Sequence, residues 1–249
     1  MTATGHIADT LRHAAGKKHP FTSAVIVAAG SSTRMGGKVP KQLMELCGTP
    51  VLIHTLRAFE NAPLIDEIVV VTRASDLTLI KGLAESHRIK KLSAVVAGGD
   101  TRALSVQNGF EAIKAEAQFV AIHDGARCLI TPRDIERVCR AAYRHKAATA
   151  VSLVSDTVKT VNSRGFIDKT LDRRRVALAT TPQIFDCNLY RAALHTVKDV
   201  ALLTDDNQLI ERLPFPVRVV DCGKDNIKLT EQDDLARAEF ILLQREGKV

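Results

Sequence analysis

Short runs of β-branched and small apolar residues recur along this chain, and nearly every one is followed by an amphipathic stretch long enough for a helix. The runs are Ala24–Ala29, Ile68–Thr72, Ser93–Val96, Phe119–His123, Thr149–Val154 and Val217–Val220. Helical patterns occupy 50–60, 76–87, 101–115, 132–145 and 186–197, with a last one from Glu231 to Arg245. Such alternation predicts an α/β fold: a mostly parallel, twisted sheet with helices on both faces. Ligands in that architecture sit beyond the carboxyl ends of the strands. Thr49-Pro50 reads as a helix start, with Thr as N-cap and Pro at the first helical position. Thr230-x-x-Asp233 reads as a capping box opening the final helix.

One stretch departs from the alternation. Asp156–Val161 and Phe166–Leu171 are two strand-like segments around the turn Asn162-Ser-Arg-Gly165. They form an inserted hairpin arm over about 156–175, either a surface flap or a dimerisation arm. The first 20 residues lack the apolar segment of a secretory signal. A tag, a short helical extension and a weak organellar presequence all stay open. Residues 1–22 are therefore set apart as an N-terminal extension, leaving 23–249 as one domain.

No apolar run approaches the roughly 20 residues of a membrane span, so no membrane partner is expected. The five cysteines are scattered, without a C-x-x-C pair or a histidine at zinc-like spacing. That pattern predicts reduced thiols and a cytoplasmic setting. The net charge of +7 is compatible with nucleic acid, but aromatics make up 4% of the chain and Trp is absent. The cations recur singly beside glycines and at strand ends, which suits a small polyanion such as a nucleotide and argues against a nucleic-acid partner.

The densest chemistry lies in Ala24-Val-Ile-Val-Ala-Ala-Gly-Ser-Ser-Thr-Arg-Met-Gly-Gly-Lys-Val-Pro-Lys-Gln-Leu43. A buried strand runs straight into a glycine-bearing loop. Gly30 permits close backbone approach, Ser31 to Thr33 offer amides and hydroxyls, and Arg34, Lys38 and Lys41 supply charge. Loops of this kind cradle phosphates. It is not a P-loop, because Ser32 stands where the first glycine belongs and Val39 follows Lys38. Nor is it a dinucleotide fingerprint, since Ser32 follows Gly30 two residues on. What fits is A-A-G-x-x-x-R-M…P-K-Q, the loop of nucleotidyltransferases.

Further segments extend the match: Gly98-Gly99-Asp100-x-Arg102-x-x-Ser105-Val106, His123-Asp124-Gly125-Ala126-Arg127, Asp156-Thr157-x-Lys159, Asp172-Arg173, Thr181-Pro182-Gln183, Thr204-Asp205-Asp206 and Asp225-Asn226-Ile227-Lys228-x-Thr230. Together, and in this order, they resemble the 2-C-methyl-D-erythritol 4-phosphate cytidylyltransferase family from about Ala24 to the last helix. The resemblance implies a Rossmann-like nucleotidyltransferase fold, with Ala28, Ala29, Gly30, Ser31, Gly99, Asp100 and Ser105 around the nucleotide. It implies Thr157, Lys159, Arg173, Thr181 and Thr204 on the acceptor side, and a homodimer with active sites completed in trans. Unaided, Gly98-Gly99-Asp100 is a turn and Arg173-Arg174-Arg175 a solvated patch.

Asp124, at a strand's carboxyl end and facing the cationic loop, suits a ligand for Mg2+ or another divalent cation; capping the next helix is the competing role. Asp225 is the second carboxylate expected near the metal. If 226–228 is extended, Asn226 and Lys228 face the same side. Four departures stand out: Gly125 and Cys128 where the family has Ala and Pro, Thr180 where Gln is usual, and Asn207-Gln208 in place of small residues.

The implied reaction belongs to isoprenoid precursor synthesis by the non-mevalonate route. A phosphate-monoester oxygen attacks the α-phosphorus of CTP in line and expels pyrophosphate. The nucleophile is already an anion, so positioning and electrostatics carry catalysis. Arg34, Lys41, Lys228 and the metal would neutralise CTP, and Arg173 would hold the acceptor phosphate. Two alternatives are a ribitol 5-phosphate cytidylyltransferase and a non-catalytic CTP-binding module. Thr170-Leu-Asp-Arg173 leading to Thr181 favours the erythritol enzyme over the first. Lys41 and Lys228 converging on one phosphate disfavour the second.

Overall fold

The computed structural model describes residues 19–30, 40–197 and 200–248. Alternate residues of β1 (Thr22–Val27) face opposite ways, and each set finds its own apolar partners. Ala24 and Ile26 pack with α1 (Val51–Glu60), α2 (Leu77–Ser86) and α4 (Pro132–His145) through residues such as Leu56, Phe59, Ile80 and Val138. Val25 packs with Val106 and Phe110 of α3 (Arg102–Glu111), Tyr190 of α5 (Cys187–Thr196) and Leu209 of the short α6 (Asn207–Glu211). Covering both faces turns β1 into a near-continuous apolar run, each large side chain of which is worth ~1.5–3 kcal/mol on burial.

The sheet has seven strands in the order β11-β7-β10-β6-β1-β4-β5. These are β11 (Arg218–Asp221), β7 (Ala147–Leu153), β10 (Ala177–Asp186), β6 (Phe119–Asp124), β1, β4 (Glu67–Thr72) and β5 (Leu92–Ala97). All run one way except β10, which is antiparallel to both neighbours. The mostly parallel sheet with helices on both faces is as expected. β10 is the addition: Pro182 argues against a central strand, yet here it sits in a bulge between Ala179 and Gln183, preceded by a cis Thr181-Pro182 bond.

Helix starts follow local capping. Thr101 accepts from Leu104 N (3.2 Å) ahead of α3, Thr131 from Asp134 N (3.1 Å) ahead of Pro132, and Asp186 from Asn188 and Leu189 N (2.9 and 3.0 Å) ahead of α5. Two expected starts differ. Thr49 and Pro50 form a two-residue strand, β3, paired with β2 (Glu45–Leu46), and extended Pro50 is itself the N-cap. Before α7 (Asp233–Arg245) the capping carboxylate is Asp234, not Asp233; it accepts from Thr230 N and Oγ1 and from Glu231 N (2.7, 2.9 and 2.9 Å). The domain boundary also shifts, because Thr22 already belongs to β1 and Gln118 N donates to Phe21 O.

The hairpin is present and shorter than expected, β8 (Lys159–Val161) against β9 (Ile167–Thr170). Its Val161, Phe166 and Ile167 are exposed, as are Leu153 at the end of β7 and Leu178 near the start of β10, between which it is inserted. No helix among the described residues is long and apolar enough to cross a membrane.

Candidate active site

Register brings three carboxyl-end features together. Val27 pairs with Asp124, so β1 and β6 end level, and the β10 bulge sets Thr181 beside them. Thr181 Oγ1 accepts from Asp124 N (3.1 Å) and bonds His123 Nδ1 (3.0 Å). His123 Nε2 faces the Arg127 carbonyl (3.1 Å), which only accepts, so Nε2 carries the proton and Thr181 donates to Nδ1. Burial pushes the pKa of His123 down to about 4, leaving the ring neutral.

Asp124 is buried and encircled by cations. Arg102 Nε donates to Oδ1 (3.0 Å), while Lys228 Nζ and Arg127 Nε approach Oδ2 at 2.9 and 3.5 Å. Burial alone would raise its pKa, but these three cations outweigh it and hold the carboxyl well below the usual carboxylate range. Arg102 also donates through NH1 to Asp206 Oδ2 (2.8 Å), and Tyr190 OH donates to the other Asp206 oxygen (3.1 Å). One guanidinium thus joins the end of β6 to the turn before α6. Asn226 donates to Thr181 O (2.8 Å), so Asn226 and Lys228 both reach the Asp124–Thr181 junction, as an extended 226–228 requires.

A wall of bare backbone stands beside this cluster. Ala28 and Ala29 follow β1, and Gly98 follows β5. A Cβ on Gly98 would lie 2.5 Å from Ala29 Cβ and 2.7 Å from Ser105 Oγ, so only glycine lets the three meet. Gly99 N donates to Ser105 Oγ (3.1 Å), and Asp100 is exposed at the tip of the turn. Gly30 is exposed at the mouth of the loop. Ser31, Arg34 and Lys38 lie outside the described residues. The chain re-enters through the one-turn helix Lys41–Leu43, where Gln42 Nε2 donates to Ala28 O (2.8 Å) and so ties Lys41 to the end of β1.

The residues expected on the acceptor side divide in two. Thr181 and Thr204 belong to the sheet side. Thr157, Lys159 and Arg173 are exposed on the arm, where Lys159 donates to Thr170 Oγ1 (2.6 Å) and Arg173 to Ser155 O (2.5 Å). Asp225 is exposed and paired with Arg245 (3.5 Å). Among the described residues, no three His, Cys, Asp or Glu side chains converge on a metal position.

The departures from the family pattern have local readings. Gly125 N donates to Val27 O (2.8 Å), and a Cβ there would sit 3.1 Å from that oxygen and 3.2 Å from Ala28 Cβ. Cys128 fills the apolar cluster under α7. Thr180 is buried with its hydroxyl unpartnered, and Asn207 Nδ2 bonds Thr149 Oγ1 (3.2 Å) and Asp205 Oδ2 (3.0 Å). In the sequence, Arg102 and Asp206 stand only as members of the matched motifs and Gln208 only as a departure from one, none with a role of its own. Only Arg102 leaves a hint: a cation on the first residue of a helix opposes the helix dipole unless a tertiary partner holds it.

Bare backbone at two strand ends stands beside three cations gathered on one ionised aspartate, an arrangement compatible with a nucleotide and its phosphates. On this α/β frame it defines a nucleotidyltransferase. Residues 22–244 match the family model of 2-C-methyl-D-erythritol 4-phosphate cytidylyltransferase (IspD), and the chain belongs to that family. The enzyme of that name from Syntrophus aciditrophicus is 41% identical over 232 residues, 92% of this chain and 99% of the relative. That from Dehalococcoides mccartyi is 40% identical, covering 88% and 95%. The crystal structure of 4-diphosphocytidyl-2C-methyl-D-erythritol synthase from Anaerococcus prevotii superposes with a TM-score of 0.79 at 31% identity, covering 89% of this chain and 96% of that one. The Thermus thermophilus cytidylyltransferase gives 0.71 at 30%, covering 89% and 98%.

Proposed function

We propose that this chain transfers a cytidylyl group from CTP to 2-C-methyl-D-erythritol 4-phosphate and releases pyrophosphate. The observation that carries the reading is Asp124: ionised, at the end of the central strand, held by Arg102, Arg127 and Lys228 beside the bare backbone of 28–29 and 98–99. Backbone groups there, with exposed Asp100, offer hydrogen bonds to a pyrimidine and its ribose, while buried Ser105 holds the turn by accepting from Gly99 N and donating to Thr101 O. The acceptor's phosphate oxygen forms a new bond to the α-phosphorus as the bond to the β-phosphate oxygen breaks. No proton has to leave the nucleophile, which agrees with His123 being neutral, buried and committed to Thr181 and Arg127 O. Lys228, Lys41 and Arg34 act on the triphosphate, and Thr204 and Arg173 act on the acceptor. Thr181, expected beside them, is buried, its hydroxyl accepting from Asp124 N and donating to His123 Nδ1, and holds those two residues in place.

The donor set fits Mg2+ or another divalent cation. Asp124 is a hard, ionised oxygen ligand, Asn226 Oδ1 is buried and unpartnered nearby, and exposed Asp225 is the second carboxylate within the motif. So few protein ligands suit an ion that takes the rest from phosphate oxygens and water. When bound, such an ion draws negative charge from the triphosphate. The arm is rich in charge but exposes Val161, Phe166 and Ile167, which supports a homodimer in which Arg173, Thr157 and Lys159 serve the partner's site. Five free cysteines fit a cytoplasmic setting.

Pyrophosphate release tests the assignment, using CTP, ATP or GTP with methylerythritol phosphate or ribitol 5-phosphate, with and without EDTA. Preference for CTP and methylerythritol phosphate, and silence in EDTA, are expected. Faster turnover of ribitol phosphate would overturn the acceptor, and equal use of all nucleotides the donor.

A further inference from the structure

We infer that Gln208 is a positioning residue for the acceptor: it holds Thr204 so that the threonine hydroxyl is presented outward as a hydrogen-bond donor. The inference deepens the proposed function and rests on Thr204 facing the acceptor.

Two bonds determine the orientation. Thr204 N can only donate, so the Gln208 atom at 3.3 Å from it is Oε1, and the atom at 2.8 Å from Thr204 Oγ1 is therefore the donating Nε2. A hydroxyl that accepts one N–H still has its own proton to place. The carboxylate nearest in sequence does not take it. Asp205 is committed inward, with Oδ1 accepting from Gln208 N (3.2 Å) and Oδ2 from Gln183 Nε2 (3.2 Å) and Asn207 Nδ2 (3.0 Å). Thr204 itself is exposed. Its proton is left for an oxygen from outside, which is the chemistry of a phosphate or a polyol hydroxyl.

The same turn is anchored at depth. Asp206, two residues on, is joined through Arg102 to Asp124. Thr204 therefore stands at a defined place relative to the nucleotide side, and Gln208 sets what it offers there. A residue with no amide at 208 would leave Thr204 free to rotate. A carboxylate at 208 would invert the polarity, taking the Thr204 proton for itself.

The test compares wild type with Gln208→Met, Gln208→Glu, Thr204→Val and the double variant Thr204→Val/Gln208→Met. Acceptor KM, CTP KM, kcat and melting temperature are measured for each. Gln208→Met should raise the acceptor KM about 5-fold, the size of one hydrogen bond, with CTP KM within about twofold of wild type. Gln208→Glu should raise it further, and the double variant should be no worse than Thr204→Val alone. Equal rises in both KM values, or additive effects in the double variant, would overturn the role. So would a Gln208→Glu enzyme with normal acceptor KM. A wild-type protein that fails to use methylerythritol phosphate at all would instead refute the proposed function.

Discussion

Replacing Arg102 with methionine removes the charge between two buried aspartates while keeping most of the side chain's reach. The two aspartates are left in different positions. Asp124 retains Lys228 at 2.9 Å and Arg127 at 3.5 Å, whereas Asp206 retains the Tyr190 hydroxyl at 3.1 Å and has lost its counter-charge. Breaking one side of a buried ion pair costs ~3–5 kcal/mol because the abandoned charge stays buried. For a domain of this size that corresponds to a melting temperature lower by about 6–20 °C. Burial already pushes the Asp206 carboxyl up, against the pull of Arg102. Without Arg102 it rises further, so its folded-state pKa lies above its unfolded value. Such a group weakens the fold at high pH and relents as pH falls through the raised pKa. Guanidinium unfolding of chelated protein at pH 8 and pH 5.5 should therefore show a larger loss for Arg102→Met at pH 8. Adding Asp206→Asn to Arg102→Met should restore stability, since a neutral amide needs no counter-charge. An Arg102→Met protein within about 1 kcal/mol of wild type at pH 8 would refute this account. So would a double variant less stable than Arg102→Met.

The loop cations should behave oppositely: Arg34→Ala and Lys41→Ala should each lower kcat by ~10²-fold or more with little change in melting temperature. A raised KM at near-normal kcat would assign them to ground-state binding instead. His123 should govern part of the acid lability. Its pKa falls from 6.5 to about 4 on folding, so the unfolded chain protonates first and stability is lost as pH drops through that window. Between pH 8 and pH 5 that is ~2 kcal/mol from this group, a slope absent from His123→Gln; identical slopes would show that the ring is charged in the fold. Finally, Lys41→Ala and Arg173→Ala chains, each nearly inactive, should recover about a quarter of wild-type activity when refolded together, because half the dimers are mixed and each holds one intact site. No recovery would place Arg173 in its own chain's site.

What could be read in the sequence was whatever is encoded locally. The parallel strands announced themselves as β-branched runs, the hairpin as alternation around Asn162–Gly165, and Asp124 as a carboxylate ending a strand. β10 is not legible in the sequence because Pro182 cannot donate to a ladder, and the bulge that accommodates it is a property of the neighbouring strands. Thr49-Pro50 misled because Pro suits both the first turn and the extended residue before it. The Arg102–Asp206 pair spans 104 residues, and no local pattern reports a contact at that separation.

The two halves of the site are tied together by different means. Asp206 and Tyr190 are buried, with the Asp206 side chain 5% exposed, and Arg102, 24% exposed, bridges from them toward Asp124. Lys228 is 36% exposed and shares its carboxylate with two other cations. A carboxylate as deeply buried as Asp206 has no solvent partner to exchange with, so its bond to Arg102 ties the Thr204 turn to Asp124 through the folded core. A half-exposed lysine can leave one anion for another at little cost, because water and the remaining cations cover its departure. In-line transfer between two polyanions needs both properties at once: reactive groups held at a fixed separation, and cations free to follow the charge as it moves. Under the proposed function, the burial gradient from Asp206 out to Lys228 would provide that division within a few side chains.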